Sequence, residues 1–343
     1  MGVMTVNGAI AKEALGITTP HEHALIDIRN QYPGHEAGMD QKVSKAYYDL
    51  LMSDPYRLRD NLVLEDEALA IREVGLFGKA GGKTFVDVTL KEIGRDPLFL
   101  RRLSKETGLH VVAACGAYTA DTHPAKISAM SVEELADEMV LELTEGMDGT
   151  DIRAGIIGEI GTSQNLHPQE TKMLQAAALA HGKTGAPVMV HLCPWAKHGN
   201  RVLDILGDVS PEKICLCHTD VLLDISYMEQ LLKRGIYLEF DNFGKEFTSG
   251  SAYGRFPSDK ERMDSLYKLV DMGFLKQLLV SCDICLKNLL TVHGGPGYAH
   301  FLTKMSEKLR KDRVDAEEIL QDLLVDNPAN YLDNPNVSAD GLQ

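Results

Sequence analysis

Short apolar runs rich in β-branched residues alternate with longer amphipathic stretches along the chain. The runs are GITTP (16–20), TFVDVTL (84–90), HVVAACG (110–116), AGIIGEIG (154–161), PVMVHL (187–192), KICLCH (213–218), IYLEFDN (236–242) and LLVSCD (278–283). Continuous apolar runs of this length read as strands buried on both faces, as in parallel sheets. The stretches between them carry helix patterns. SVEELADEMVLELTEGM (131–147) offers Ser131 as an N-cap with Glu134 three residues later, a capping box. ETKMLQAAALAHGKTG (170–185) and DISYMEQLLKRG (224–235) repeat apolar residues at helical spacing and end on glycine. DAEEILQDLLVDNPANYL (315–332) reads as a closing helix stopped at the Asn327–Pro328 break. Eight strands alternating with helices predict an α/β protein with a single (β/α)8 TIM barrel rather than an open sheet. Extra length before the second and eighth strands reads as insertions. No low-complexity tract or proline-rich linker marks a second domain, so residues 1–343 are read as one barrel domain.

Barrel interiors are packed with apolar side chains, so ionisable residues at strand ends ask for a reason. Here they recur. The first strand runs into His21-Glu22-His23, the fourth contains Glu159, the fifth ends at His191, the sixth at His218 and the eighth at Asp283. In an extended segment His21 and His23 share a face and Glu22 points the other way. One such residue alone is a hydrogen-bonded structural group. Six at corresponding ends of five strands form a ligand set suited to zinc-class divalent cations, with Mn, Co or Fe also accepted. Four imidazoles and two carboxylates exceed one tetrahedral site and suit two ions sharing a bridging carboxylate and water.

Composition narrows the function classes. The 343 residues are 44% hydrophobic and carry a formal net charge of −15. That acidity argues against a nucleic-acid partner, which needs clustered Lys and Arg. No run is long and apolar enough to span a bilayer, and the N-terminus lacks a signal-peptide pattern. Cys115, Cys215, Cys217 and Cys282 sit in apolar runs, as thiols of a reducing compartment do. A cytoplasmic protein acting on a small molecule is the expectation.

The ordered set Pro20-His21-Glu22-His23, Glu159, His191, His218 opening HTD, and Asp283 after LLVSC resembles the phosphotriesterase family of the amidohydrolase superfamily. TVNGAI, VDVTLKEIGRDP (87–97) and GGPGY (294–298) agree, and the resemblance spans nearly the whole chain. It implies that His21 and His23 bind the more buried ion with Asp283, and His191 and His218 the more exposed one. Glu159 stands where many members carry a carboxylated lysine, similar to the glutamate-bridged branch that includes phosphotriesterase-related proteins. Asn242 stands where the phosphotriesterases carry a proton-relaying histidine. An amide cannot relay a proton that way, which argues against phosphotriester hydrolysis as the native reaction. The resemblance also implies a homodimer.

Such a site predicts hydrolysis by a water made acidic between two cations, with Asp283 moving its proton to the leaving group. Lys245 after the seventh strand, and Lys287 with the glycine-rich Gly294–Tyr298 loop after the eighth, suggest an anionic substrate, with Tyr298 beside it. Tyr118 after the third strand matches a tyrosine that family lactonases place over the metals. The leading expectation is therefore a lactonase acting on a phosphorylated or carboxylated lactone. An amidase on small N-acyl compounds is the alternative, followed by a phosphotriester hydrolase and by a non-catalytic metal-binding protein. Asp27, Arg95 and Asp220 are expected to orient ligands, Trp195 to line the pocket or cover a barrel edge, and His293 and His300 to lie on the surface.

Overall fold

In the computed structural model, residues 2–32, 41–248 and 254–338 are described. Eight parallel strands follow one another round a barrel: β1 (Thr18–Glu22), β2 (Thr84–Asp87), β3 (His110–Cys115), β4 (Ile156–Gly161), β5 (Val188–His191), β6 (Ile214–Leu216), β7 (Tyr237–Phe240) and β8 (Leu278–Val280). Each is hydrogen-bonded to the next in chain order. Only the seam between β8 and β1 lacks a backbone ladder among the described residues. The expected barrel is therefore the observed one, nearly closed. Its strands are short and β-branched because both faces are covered: Val86, Val112, Ile157, Val190 and Leu216 are all fully buried. Burying each such side chain stabilises the fold by about 1.5–3 kcal/mol.

Helices α1 (Glu67–Lys79), α2 (Pro97–Thr107), α3 (Val132–Thr144), α4 (Pro168–Thr184), α5 (Gly199–Leu206), α6 (Ile225–Leu232) and α7 (Asp259–Asp271) each follow one strand. The capping box at α3 is present: the Glu134 amide donates to Ser131 Oγ at 3.1 Å and the Ser131 amide to Glu134 at 2.7 Å. The stretch before α1 carries a small antiparallel ladder, Ile26–Asp27 with Val63–Leu64. Among the described residues no helix is long and apolar enough to cross a membrane.

Two boundaries differ from expectation. β1 extends through Glu22, so His21 is held by a strand and not by the loop beyond it. The closing segment does not stop at Asn327–Pro328. A π-helical turn over Asp322–Asp326 leads directly into a helix over Asn327–Leu332, where Pro328 lies in the first turn and needs no N–H partner. Asn327 stays because its side-chain amide donates to the carbonyls of Leu275 and Leu278, both at 2.8 Å, anchoring the start of β8.

Candidate metal centre

All six ligand-type residues converge at the C-terminal end of the barrel. The ligand atoms of His21, His23 and Glu159 lie within 4.8 Å of one another, and so do those of Glu159, His191 and His218. Glu159 is shared by the two groups, its Oε2 lying 3.5 Å from His21 Nε2 while also facing the second pair. Its Oε1 is 3.5 Å from His23 Nε2, while Oε2 is 3.1 Å from His191 Nδ1 and 3.4 Å from His218 Nε2. Asp283 Oδ1 completes the first group at 3.3 Å from His23 Nε2 and 3.8 Å from His21 Nε2. Two of the six, His218 (φ 59°) and Asp283 (φ 44°), adopt left-handed backbone conformations that non-glycine residues avoid. Strain of about 1–3 kcal/mol per residue persists only where the surroundings impose it, and it clusters at functional sites.

The imidazoles are aimed from behind. Thr89 Oγ1 donates to the Leu25 carbonyl at 3.0 Å, so at 2.9 Å it accepts from His23 Nδ1–H and leaves Nε2 as an acceptor. His218 Nδ1 meets Asp241 Oδ1 at 3.0 Å, and the His218 amide donates to Asp241 Oδ2 at 2.8 Å. His21 Nδ1 meets Glu239 Oε2 at 3.2 Å, and Glu239 also accepts from Ser281 Oγ at 3.1 Å and Cys217 Sγ at 3.4 Å. Carboxylates and hydroxyls that fix the tautomer of a ligating histidine in this way raise its basicity toward a metal. Glu239→Gln or Asp241→Asn is expected to weaken binding of one divalent ion by roughly 10- to 100-fold at near-native fold content. Metal titration with a competing chelator checks this.

The donor set fits divalent cations on two counts. His21 Nε2 is buried with no hydrogen-bond partner, facing Glu159 and Asp283. The cluster is also short of positive charge: the buried carboxylates of Glu159, Glu239, Asp241 and Asp283 meet one buried ammonium, that of Lys245. Burial alone lowers the imidazole pKa, yet the carboxylates outweigh it, pushing His218 up to about 10 and raising His21 well above its ordinary value.

A cavity of about 690 Å³ opens over the cluster. Glu159, His191, His218 and Asp283 form part of its floor, and Tyr118 and Lys245 part of its wall. Tyr118 stands edge-on to His191, with its hydroxyl 3.2 Å from Nδ1. Gly161 permits that approach, because a Cβ there would lie 2.2 Å from the Tyr118 carbonyl carbon. Trp195 lines the cavity, standing perpendicular to Phe256, which in turn packs edge-on against Phe247. This wall is apolar and aromatic.

Several sequence expectations are corrected. Lys287 does not line the cavity; its ammonium pairs with Asp60 at 2.7 Å. Tyr298 is buried and does not line the cavity; its hydroxyl donates to the His23 carbonyl at 2.7 Å, so it supports the end of β1. The Gly294, Gly295 and Gly297 amides all donate to backbone carbonyls, which makes that segment a turn and not an anion cradle. Lys245 does reach the cavity, but its ammonium is held against Asp283 Oδ2 and lies 3.6 Å from Cys285 Sγ. Arg95 pairs with Glu142 and Asp148, and Asp27 with Arg29, neither touching a ligand. Asp220 accepts from the Asn242 side-chain amide at 2.7 Å and forms an ion pair with the Arg262 guanidinium at 2.9 Å, so it positions Asn242. His300 is half-buried against Asp259 at 2.6 Å. The partners the sequence reading missed are Thr89, Glu239 and Asp241. Glu239 and Asp241 alternate along IYLEFDN, a period-two placement that puts both carboxylates on one face.

Comparison with known proteins agrees with this geometry. The profile of the Phosphotriesterase family matches residues 1–332. An N-acetyltaurine hydrolase of Tetraodon nigroviridis is 38% identical over 96% of this chain and 97% of its own length. A resiniferatoxin-binding protein from Rhodobacter sphaeroides has a crystal structure 38% identical, with a TM-score of 0.94 over 97% of this chain and 95% of that one. A lactonase from Listeria monocytogenes is 26% identical, with a TM-score of 0.80 over 97% of this chain and 99% of that one.

Proposed function

Since the chain belongs to the phosphotriesterase family and is a hydrolase, we propose that it binds two zinc-class divalent cations and hydrolyses the amide bond of small N-acyl compounds. His21, His23 and Asp283 would hold one ion, His191 and His218 the other, with Glu159 between them. When bound, such a pair supplies a water of lowered pKa and a polarised carbonyl.

The observation that carries the amide reading is the Asp283–Lys245 pair. An amine cannot depart from an acyl carbon as its anion; the nitrogen must gain a proton as the C–N bond breaks. Asp283 Oδ1 faces the ligands and the cavity while Oδ2 is fixed by the buried Lys245 ammonium. Burial raises the Asp283 carboxyl, but Lys245, His23 and His21 outweigh it and hold it ionised. Asp283 is thus placed to take a proton from the attacking water and hand it to the departing nitrogen. Lys245 fixes its rotamer. The aromatic wall of Trp195, Phe256 and Phe247 would receive apolar parts of the substrate.

Relatives named N-acetyltaurine hydrolases, at 33–38% identity over nearly the full chain, support amides over the lactones that led the sequence reading. Structural neighbours named lactonases keep lactone hydrolysis as a second reading. The test is a panel of N-acetyltaurine, N-acyl amino acids, lactones and a phosphotriester on protein loaded with zinc or manganese. N-acyl compounds are expected to show a kcat/KM at least about tenfold above any lactone, a difference of about 1.4 kcal/mol in transition-state binding. A lactone preference would reverse the order of the two readings, and no turnover of any substrate would favour a metal-binding protein without catalysis.

A further inference from the structure

We infer that Glu22, the residue between the two ligating histidines of β1, is a positioning residue that holds Asp283 in place for the same ion. The inference rests on the two-cation reading above. The carboxylate of Glu22 is fully buried and points away from the cavity. Its Oε1 accepts from the Cys282 amide and its Oε2 from the Ile284 amide, both at 2.9 Å. These are the amides on either side of Asp283, whose φ of 44° is otherwise disfavoured. Thr19 Oγ1 donates to Oε1 at 2.9 Å and fixes the side chain from its own strand.

The location explains why a side chain does this work. Among the described residues no backbone ladder joins β8 to β1; the Ser281 amide donates to the Phe240 carbonyl on the β7 side at 3.1 Å, while the Cys282 and Ile284 amides turn to the Glu22 carboxylate. The Glu22 carbonyl meanwhile accepts from the Val88 amide at 3.0 Å. One residue therefore ties β1 to β2 through its backbone and to the end of β8 through its side chain. Because strand neighbours point to opposite faces, a carboxylate directed outward at position 22 fixes His21 and His23 inward. Three ligands of one ion, separated by some 260 positions in sequence, are thereby locked to one carboxylate. The second ion, on His191 and His218, has no such link to Glu22.

The prediction is asymmetric loss. Glu22→Gln keeps the volume but accepts from one amide only, setting an NH2 donor against the other. Cobalt(II) titration followed by visible absorption and metal analysis is the test, with His23→Ala and His191→Ala marking which ion is lost. Unsubstituted protein should take up two ions; failure there would fault the two-cation reading and not Glu22. In Glu22→Gln, one ion is expected to weaken by roughly 10- to 100-fold with the spectral change of His23→Ala, the other staying bound. Two ions bound with unchanged affinities, or both weakened equally alongside a lower Tm, would overturn the inference. Should the variant not fold, amide exchange in unsubstituted protein decides. Cobalt binding is expected to slow exchange at Cys282 and Ile284 together, by at least about tenfold, and exchange indifferent to the metal would overturn the inference.

Discussion

Asp283→Asn is expected to lower kcat by about 10²- to 10⁴-fold, the usual contribution of a positioned acid–base group. The amide keeps the shape and one ligating oxygen, so most of the metal content should survive. What it loses is the capacity to accept a proton at Oδ1, the atom that faces His23 at 3.3 Å. It also strands Lys245, whose ammonium is buried and, among the described residues, rests on Asp283 and the Cys285 thiol. An uncompensated buried charge costs about 3–5 kcal/mol, so the variant should melt at lower temperature as well. The double variant Asp283→Asn with Lys245→Met removes that charge. It should regain much of the stability while turnover stays low, which separates folding from chemistry. Near-normal turnover in Asp283→Asn with both ions bound would sink the proton-transfer role.

Glu159→Gln is expected to reduce metal content from about two ions per chain to fewer than one and to bring turnover to background. The carboxylate of Glu159 faces both groups of imidazoles, Oε1 toward His23 and Oε2 toward His21, His191 and His218, so the substitution is expected to weaken both ions at once. The loss should propagate to stability, since an ion present at 100 times its dissociation constant stabilises the native state by about 2.7 kcal/mol. Metal analysis and a melting curve with and without added zinc check both halves. If the variant still binds two ions normally, Glu159 is not the bridge.

The barrel and its six inward residues were legible because they depend on strand periodicity, which is local. A run such as AGIIGEIG leaves little room for any reading but a buried strand, and a carboxylate inside it is conspicuous. What escaped depends on contacts across the barrel. Glu239 and Asp241 lie in another apolar run, IYLEFDN. Nothing in their spacing says that they back His21 and His218. Lys287 and Lys245 look alike in sequence, each a lysine after a late strand. One pairs with Asp60, 227 positions away, and the other turns inward to Asp283, 38 positions on, and neither partner is marked in the local sequence. Tyr298 follows a glycine-rich turn that in sequence resembles a ligand loop. Its hydroxyl is instead engaged by the carbonyl of His23. The closing helix was misjudged for a different reason: a proline in the first turn of a helix obeys the same rule that ends one.

The shared carboxylate of Glu159 has a consequence for how the proposed two-ion centre would be assembled. The carboxylate that would lie between the two ions is that of an encoded side chain, Glu159, facing both groups of imidazoles. Nothing dissolved in the cell other than the ions needs to be captured to complete the bridge. Reconstitution of stripped protein should therefore proceed at a rate set by free metal alone, indifferent to bicarbonate and to the carbon dioxide content of the buffer.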